Sequence, residues 1–278
     1  MTEKESKVVI GNTDKTAKDE VPEEFIDREF EVPTEQVELP SKGIFYPNKQ
    51  QAVEVKYLTA NEDNILFSPE LLRSGKVLDA LLQVAIIDPT LRPDDMLIGD
   101  RNAVLLHLRK TGLGNIYQPG SMTCPSCDEE FSPDVDLDKL QLKFPDTEPD
   151  ENLEYDFDLP VMKIPIKFRL LNGKDENYLS KFSTTGTKGK KSTYKVSRII
   201  TERYKIQIMA VKGNRDKIYI GKLVEAMPMK DSIAFREYVR LISPGVDFNY
   251  AFTCDNCGHV FDADVPLNYR LFYPDAEL

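Results

Sequence analysis

Histidine is scarce in this chain and positive charge is outweighed. Only His107 and His259 occur in 278 residues, so an imidazole general base has two places to stand. His107 lies in the helical stretch AVLLHLRK, where packing is its natural role. There is no G-x-S-x-G elbow, no Walker loop and no Rossmann fingerprint, and TGLGN from Thr111 reads as a helix stop. Carboxylates abound, but Asp94-Asp95 and Glu129-Glu130 are sequence neighbours that read as solvated pairs. No acid–base pair can be nominated, and the sequence reads as non-enzymatic. Lys and Arg number 36 against 47 Asp and Glu, a net charge of −11. That balance disfavours nucleic-acid binding, which needs a basic face to displace counterions. The one dense basic cluster, Lys188, Lys190 and Lys191 in STTGTKGKKS, reads as a solvated loop. No apolar run approaches the roughly 20 residues of a membrane-spanning helix. The opening MTEKESKVVIGNTDKTAKDEVPEEF lacks the apolar core and small-residue cleavage site of a secretory signal, so an intracellular protein is expected. With 41% hydrophobic and 30% charged residues, the composition is that of a globular chain.

Cysteine is equally sparse, and its placement is informative. All four cysteines fall in two lines, TCPSCDEEFSPDVDL from Thr123 and TCDNCGHVFDADVPL from Thr253, which share seven of fifteen columns. Each C-x-x-C turn presents two thiolates to one ion, and two such knuckles make a closed tetrahedral zinc site. Cys124, Cys127, Cys254 and Cys257 are therefore read as the ligands of one structural Zn2+. Phe131 and Val135, like Phe261 and Val265, alternate as in a short strand leaving a knuckle, and Gly258 suits a turn needing positive φ. Disulfides fit a reducing compartment poorly. A dithiol redox role suits Cys124-Pro-Ser-Cys127 but not the second pair, and two half-sites completed by another subunit are a third alternative. A nucleic-acid zinc ribbon would need basic surroundings, whereas Asp128, Glu129, Glu130, Asp255, Asp262 and Asp264 flank the knuckles. His259 reads as a surface turn residue.

The two lines sit inside a longer correspondence. VEVKYLTANEDNIL from Val53 matches IPIKFRLLNGKDENYL from Ile164, each a half-buried strand entering an acidic helix start. Val77, Leu78, Leu81, Leu82, Ala85 and Ile86 form one helical face; Val196, Ile199 and Ile200 open a comparable stripe. GDRNAVLLHLRKTG from Gly99 matches KDSIAFREYVRLISPG from Lys230, with Asp100 and Asp231 placed to cap their helices and Gly112, Gly114 and Gly245 as stop signals. VKGNRDKIYIGK from Val211 predicts a hairpin. The resulting fold class is α+β, with two related αβ lobes from an internal duplication joined by a four-cysteine, zinc-ribbon-like site. The domains are a flexible, extended N-terminal arm (1–37), a first lobe with the CPSC knuckle (38–146), an acidic linker (147–163) and a second lobe with the CDNC knuckle (164–278).

Several phrases together resemble the baseplate hub and hub-assembly proteins of T-even-type bacteriophages with contractile tails. They are LPSKGIFYP from Leu39, TANEDNIL from Thr59, LIGDRNAVLLHLRKTGLGNIY from Leu97, MKDSIAFREYVRLISPGVDF from Met229, the knuckles and LFYPD from Leu271. The resemblance covers about residues 38 to 275. It implies a structural or assembly role without enzymatic activity, other baseplate and tail subunits as partners, and a place in the virion tail or in the host cytoplasm during assembly. No catalytic residues carry over. Within the opening phrase, Pro40, Ser41, Lys42, Gly43 and Tyr46 are the candidate partner-binding residues, with packing on their own lobe as the alternative.

Overall fold

Val37, Val53 and Val55 alternate with polar neighbours, and the first two segments pair as that period requires. Strand β1 (Thr34–Glu38) runs antiparallel to β2 (Ala52–Lys56) with Val37 opposite Val53. The structure, a computed structural model, describes residues 31–144, 146–184, 187–188 and 195–272. Residues 1–30 of the expected arm lie outside the described residues, and its last four, Thr34–Val37, belong to strand β1 and are not a free extension; Lys190, Lys191 and the closing Tyr-Pro-Asp also lie outside. From Thr34 onward the chain forms one compact unit.

Helix α1 (Ala60–Leu66) starts at a capping box, in which the Thr59 backbone N–H donates to the Glu62 carboxylate at 2.7 Å while the Thr59 side chain caps in return. Ser68 caps α2 (Pro69–Ser74), which ends at Gly75 in the left-handed region. Helix α3 (Val77–Ala85) buries Val77, Leu81, Leu82 and Ala85, the face expected from the sequence. Helix α4 (Ile98–Leu113) is buried nearly all round, with Val104, Leu105, Leu106 and Leu108 in the core, because elements from both halves of the chain cover it. Short strands follow: β3 (Ile116–Tyr117), β4 (Met122–Thr123), β5 (Glu130–Phe131), β6 (Val135–Asp136) and β7 (Gln141–Lys143). Strands β3 and β6 pair, as do β4 and β5.

The second half shares part of this order, a strand pair leading to helices and a long helix preceding its knuckle. Strands β8 (Tyr155–Asp158) and β9 (Pro165–Phe168) form a hairpin and lead to α5 (Gly173–Thr184). A small pair, β10 (Thr187–Lys188) with β11 (Lys195–Val196), precedes α6 (Ile199–Gln207), and β12 (Ile208–Val211) returns beside β9. Then come α7 (Lys217–Ala226), α8 (Met229–Ile242), β13 (Gly245–Asp247), β14 (Asn249–Thr253) and β15 (Val260–Asp264). The likeness reaches backbone detail. Helices α3 and α6 are each nine residues long and start from Lys76 (φ −101°, ψ 8°) and Arg198 (φ −101°, ψ 12°) without a side-chain cap. Each exits into an extended isoleucine, Ile86 or Ile208, that bridges antiparallel to the preceding strand at Val55 or Phe168.

The buried residues fall into two cores. One gathers residues from Val37 to Leu140 and also takes Phe252, Cys254, Val265, Leu271 and Phe272 from the end of the chain. The other, from Tyr155 to Ile242, takes Leu97 from the first half. Its centre is aromatic: the Phe168 and Phe235 rings meet edge-on with centroids 5.0 Å apart, and Phe157 stacks on Tyr238 at 4.9 Å. Between the cores, the Ile98 N–H donates to the Leu171 carbonyl, the Gly173 N–H donates to the Met96 carbonyl, and β13 pairs with β7. Gly99 is required here, since a Cβ would land on the Pro244 carbonyl oxygen.

Two local expectations are corrected. The expected hairpin shrinks to a two-residue turn, Lys212–Gly213, across which Val211 and Asn214 bridge antiparallel; α7 follows, because Asp216 accepts the Tyr219 N–H as an N-cap and Ile220, Leu223 and Val224 bury one helical face. The Gly and Asn signals set only this turn, and helical spacing takes over from Asp216. The stripe begun by Ile199 and Ile200 does not become a buried face, as Ile200 is exposed and α6 packs through Tyr204 and Gln207.

Candidate metal centre

Each knuckle is shaped by its own backbone. The Asp128 N–H donates to the Cys124 carbonyl at 3.0 Å and the Gly258 N–H donates to the Cys254 carbonyl at 2.9 Å. In return, the Cys124 and Cys254 N–H groups donate to the carbonyls of Glu129 and His259. Closing these loops requires a left-handed residue, which is Asp128 (φ 58°) in one and Gly258 (φ 70°) in the other. The hairpin β14–β15 then brings the second knuckle to the first, with Phe131 edge-on to Phe261 at 6.1 Å.

The four sulfurs converge: all lie within 4.8 Å of one another. Cys124 Sγ is 3.8 Å from Cys257 Sγ, and Cys127 Sγ is 3.8 Å from Cys254 Sγ. A tetrahedral ion with Zn–S bonds of about 2.3 Å has sulfur–sulfur edges of about 3.8 Å, so the donor set fits such an ion in spacing and in chemistry. The Ser126 N–H points at Cys124 Sγ at 3.4 Å, and the Asn256 amide points at Cys127 Sγ at 3.8 Å. Burial pushes the Cys124 thiol up, but the Ser126 and Cys127 N–H groups and the neighbouring thiols outweigh it and hold it down at about 7. Cys257 moves the other way: the His259 backbone lowers it, but partial desolvation and the three other thiols together raise it to about 12. His259 is not among the converging groups; its ring stacks on Phe261 at 6.1 Å.

The candidate partner-binding residues lie in the turn between β1 and β2. Pro40, Ser41, Gly43 and Tyr46 are buried against the chain's own body, and Lys42 is exposed with its ammonium over the Phe144 ring. The Ser41 N–H donates to Asp100 Oδ1 at 2.9 Å, the Tyr46 hydroxyl donates to Asp100 Oδ2, and that hydroxyl accepts the Leu97 N–H at 3.0 Å. Burial raises the Asp100 carboxyl against these hydrogen bonds, and burial together with Asp100 raises the Tyr46 phenol.

Asp100 thus does not cap its own helix. It is the third residue of α4, after the uncapped Leu97. Asp231 holds the same position in α8, where it accepts the N–H groups of Val161 (2.6 Å) and Met162 (3.0 Å) from the β8–β9 turn. Both carboxylates satisfy orphan donors of a hairpin turn rather than of a helix end. Sequence reasoning placed these aspartates but missed their partners, 59 and 70 positions away. The available clue was the residue preceding each helix, Leu97 or Pro228, which has no side chain able to cap. It also missed Arg109, a buried guanidinium that donates to the carbonyls of Gly114 (2.5 Å) and Ile116 (2.7 Å) and so closes the end of α4.

A family model described as T4 bacteriophage base plate protein matches residues 32–268. Among curated proteins and among solved structures, nothing matches the chain significantly.

Proposed function

The chain belongs to the T4 bacteriophage base plate protein family, and from that membership we propose that it is a non-enzymatic structural or assembly protein of the hub region of a contractile tail baseplate. It acts through protein–protein surfaces on other tail subunits, and one structural Zn2+ held by Cys124, Cys127, Cys254 and Cys257 stabilises it. The match across nearly the whole folded body carries the baseplate role. The matching starts of α3 and α6 and the matching places of Asp100 and Asp231 support an ancestral duplication, and the sulfur spacing supports the ion. Four protein thiolates leave no open coordination position, so the ion's contribution is to folding. Among the described residues no helix is long and apolar enough to cross a membrane.

The low Cys124 thiol favours a second reading, a dithiol exchanging with other proteins. Against it, Cys124 is fully buried, which denies an incoming disulfide access to the sulfur. Asp128, Glu129, Glu130, Asp255, Asp262 and Asp264 are all exposed around the knuckles, which weighs against a nucleic-acid ribbon. Deleting the coding sequence and examining tail intermediates tests the assembly role: baseplates should be missing or incomplete, and normal particles would overturn it. Metal analysis of the purified chain should return one zinc per molecule, whereas metal-free protein with a rapidly alkylated Cys124 favours the dithiol.

A further inference from the structure

One contact between the halves, made at Gly99 of α4, has sequence-aligned counterparts of both its sides that lie exposed. Aligning Asp100 with Asp231 puts Ile98, Asn102, Leu105 and Arg109 of α4 in register with Met229, Ile233, Arg236 and Arg240 of α8. These positions, at i, i+4, i+7 and i+11, form one stripe along each helix. On α4 Leu105 and Arg109 are buried, Arg109 beneath the Gly114 and Ile116 carbonyls, Ile98 and Asn102 are half-buried, and the turn Pro244–Gly245 abuts Gly99 beside the stripe. On α8 all four are exposed, Met229 at 77% and Ile233 at 40%. Neither Arg236 nor Arg240 has an ion-pair partner among the described residues.

The covering element has its counterpart too. Pro244–Phe248 follows α8, and its aligned counterpart Leu113–Tyr117 begins at the last residue of α4, with Gly114 in register with Gly245. Pro244 and Gly245 are buried where they cover α4, whereas Leu113 (49%) and Ile116 (54%) are exposed. Acidic groups border this edge. Asp136 is the strand partner of Ile116, Asp138 accepts from the Asn115 amide, and Asp134 accepts from the Gln118 amide. Lys110 and Lys139 offset part of that charge by pairing with Asp138 and Asp136.

We propose that the exposed face of α8 docks the Leu113–Ile116 edge of a second copy of this chain, so that copies associate head to tail. The contact extends the α4–β13 joint already present within the chain: an apolar pair seats on an apolar stripe, and Arg236 and Arg240 meet the aspartate-bordered edge. Lys230 stands where Gly99 lets the backbones meet, so the intermolecular version is made through side chains. The two surfaces differ, which makes the contact heterologous and able to continue into a ring or filament. This inference rests on the reading of the chain as a subunit that works through its surfaces.

Sedimentation velocity of the full-length protein tests it. The wild-type chain should shift to larger species as concentration rises, and Ile233→Glu and Ile116→Glu should each sediment as monomers with unchanged thermal unfolding. Mixing the two variants should restore association but stop at dimers, since each supplies one intact face. A wild-type monomer up to its solubility limit would assign the α8 face to a different subunit and overturn the proposal, as would association indifferent to both variants or a mixture that stays monomeric. A monomer still required for baseplates would leave the assembly role standing. A self-associating chain whose loss leaves baseplates intact would do the reverse.

Discussion

Replacing Asp100 by alanine removes the acceptor of two buried donors, the Ser41 N–H and the Tyr46 hydroxyl. A buried donor left without a partner costs about 1–3 kcal/mol, so the pair implies about 2–6 kcal/mol. The carboxylate is itself desolvated, and relief of that cost moves the expectation down to about 3 kcal/mol. Asp231→Ala is the internal control, with the same helix position and two N–H groups stranded. Val161 is 48% exposed, however, and the bonds at Asp231 are only partly buried, so water can take over and the loss should be about 1 kcal/mol. Urea unfolding of the three proteins at pH 7 measures the difference directly, provided the slopes agree. Losses within about 0.5 kcal/mol of each other would refute the reasoning, since the two sites would then not differ in what burial makes of a lost acceptor.

The same carboxyl gives a pH signature. Burial holds its folded value above the ordinary aspartate value of about 3.9. The native state therefore binds this proton before the unfolded chain does as pH falls. The stability the group contributes is complete below about pH 3.9 and is lost as pH rises through the folded value. Asp100→Asn keeps an acceptor for Ser41 and cannot ionise, so it lacks this slope. The wild-type advantage over Asp100→Asn should grow as pH is lowered through the folded value, and an advantage that shrinks would contradict the assigned direction.

Gly99→Ala should cost about 2–3 kcal/mol, because the new methyl meets the backbone of Pro244 and Gly245. Lys230→Ala, at the matching exposed position of α8, should stay within about 0.5 kcal/mol in the same thermal unfolding assay. Arg109→Lys keeps the charge but loses the fork that reaches two carbonyls, and should lower stability by about 1–3 kcal/mol in urea. Cys127→Ser should reduce zinc from one equivalent to a small fraction after dialysis, read by elemental analysis, while Ser126→Ala should retain it.

The elements with a strong period were legible. Val53 and Val55, the face of α3, both long helices and both knuckles lie where spacing puts them. What was hidden depends on contacts between distant residues of ordinary type. The β14–β15 hairpin looks equally apolar whichever core receives it; sequence likeness assigns it to the second half, yet Phe252 and Val265 lie in the first core. The PSKG-x-x-Y turn offered several polar groups as a surface, and only the Asp100 carboxylate, 54 positions from Tyr46, explains why most of them face inward. Four cysteines could be grouped in advance because thiolates have few other uses in such a sequence. An aspartate has many, and its partner is decided by packing.

Where Cys124 and Cys254 sit determines what an ion there would stabilise. Both belong to the first core, and the aromatic core from Tyr155 to Ile242 is strung between them in sequence. The link that matters joins Cys127 to Cys254, 127 positions apart. Closing a loop of that length removes chain entropy worth about 5 kcal/mol, against about 2 kcal/mol for the tight loop inside one knuckle. The link therefore acts mainly by holding β14–β15 in the first core, and the second core depends on it only through its attached ends. Metal removal should accordingly strip amide-exchange protection from Phe252 and Tyr117 before Phe168 and Ile208. Equal loss in both cores would mean that the ion holds the cores together instead of holding one of them closed.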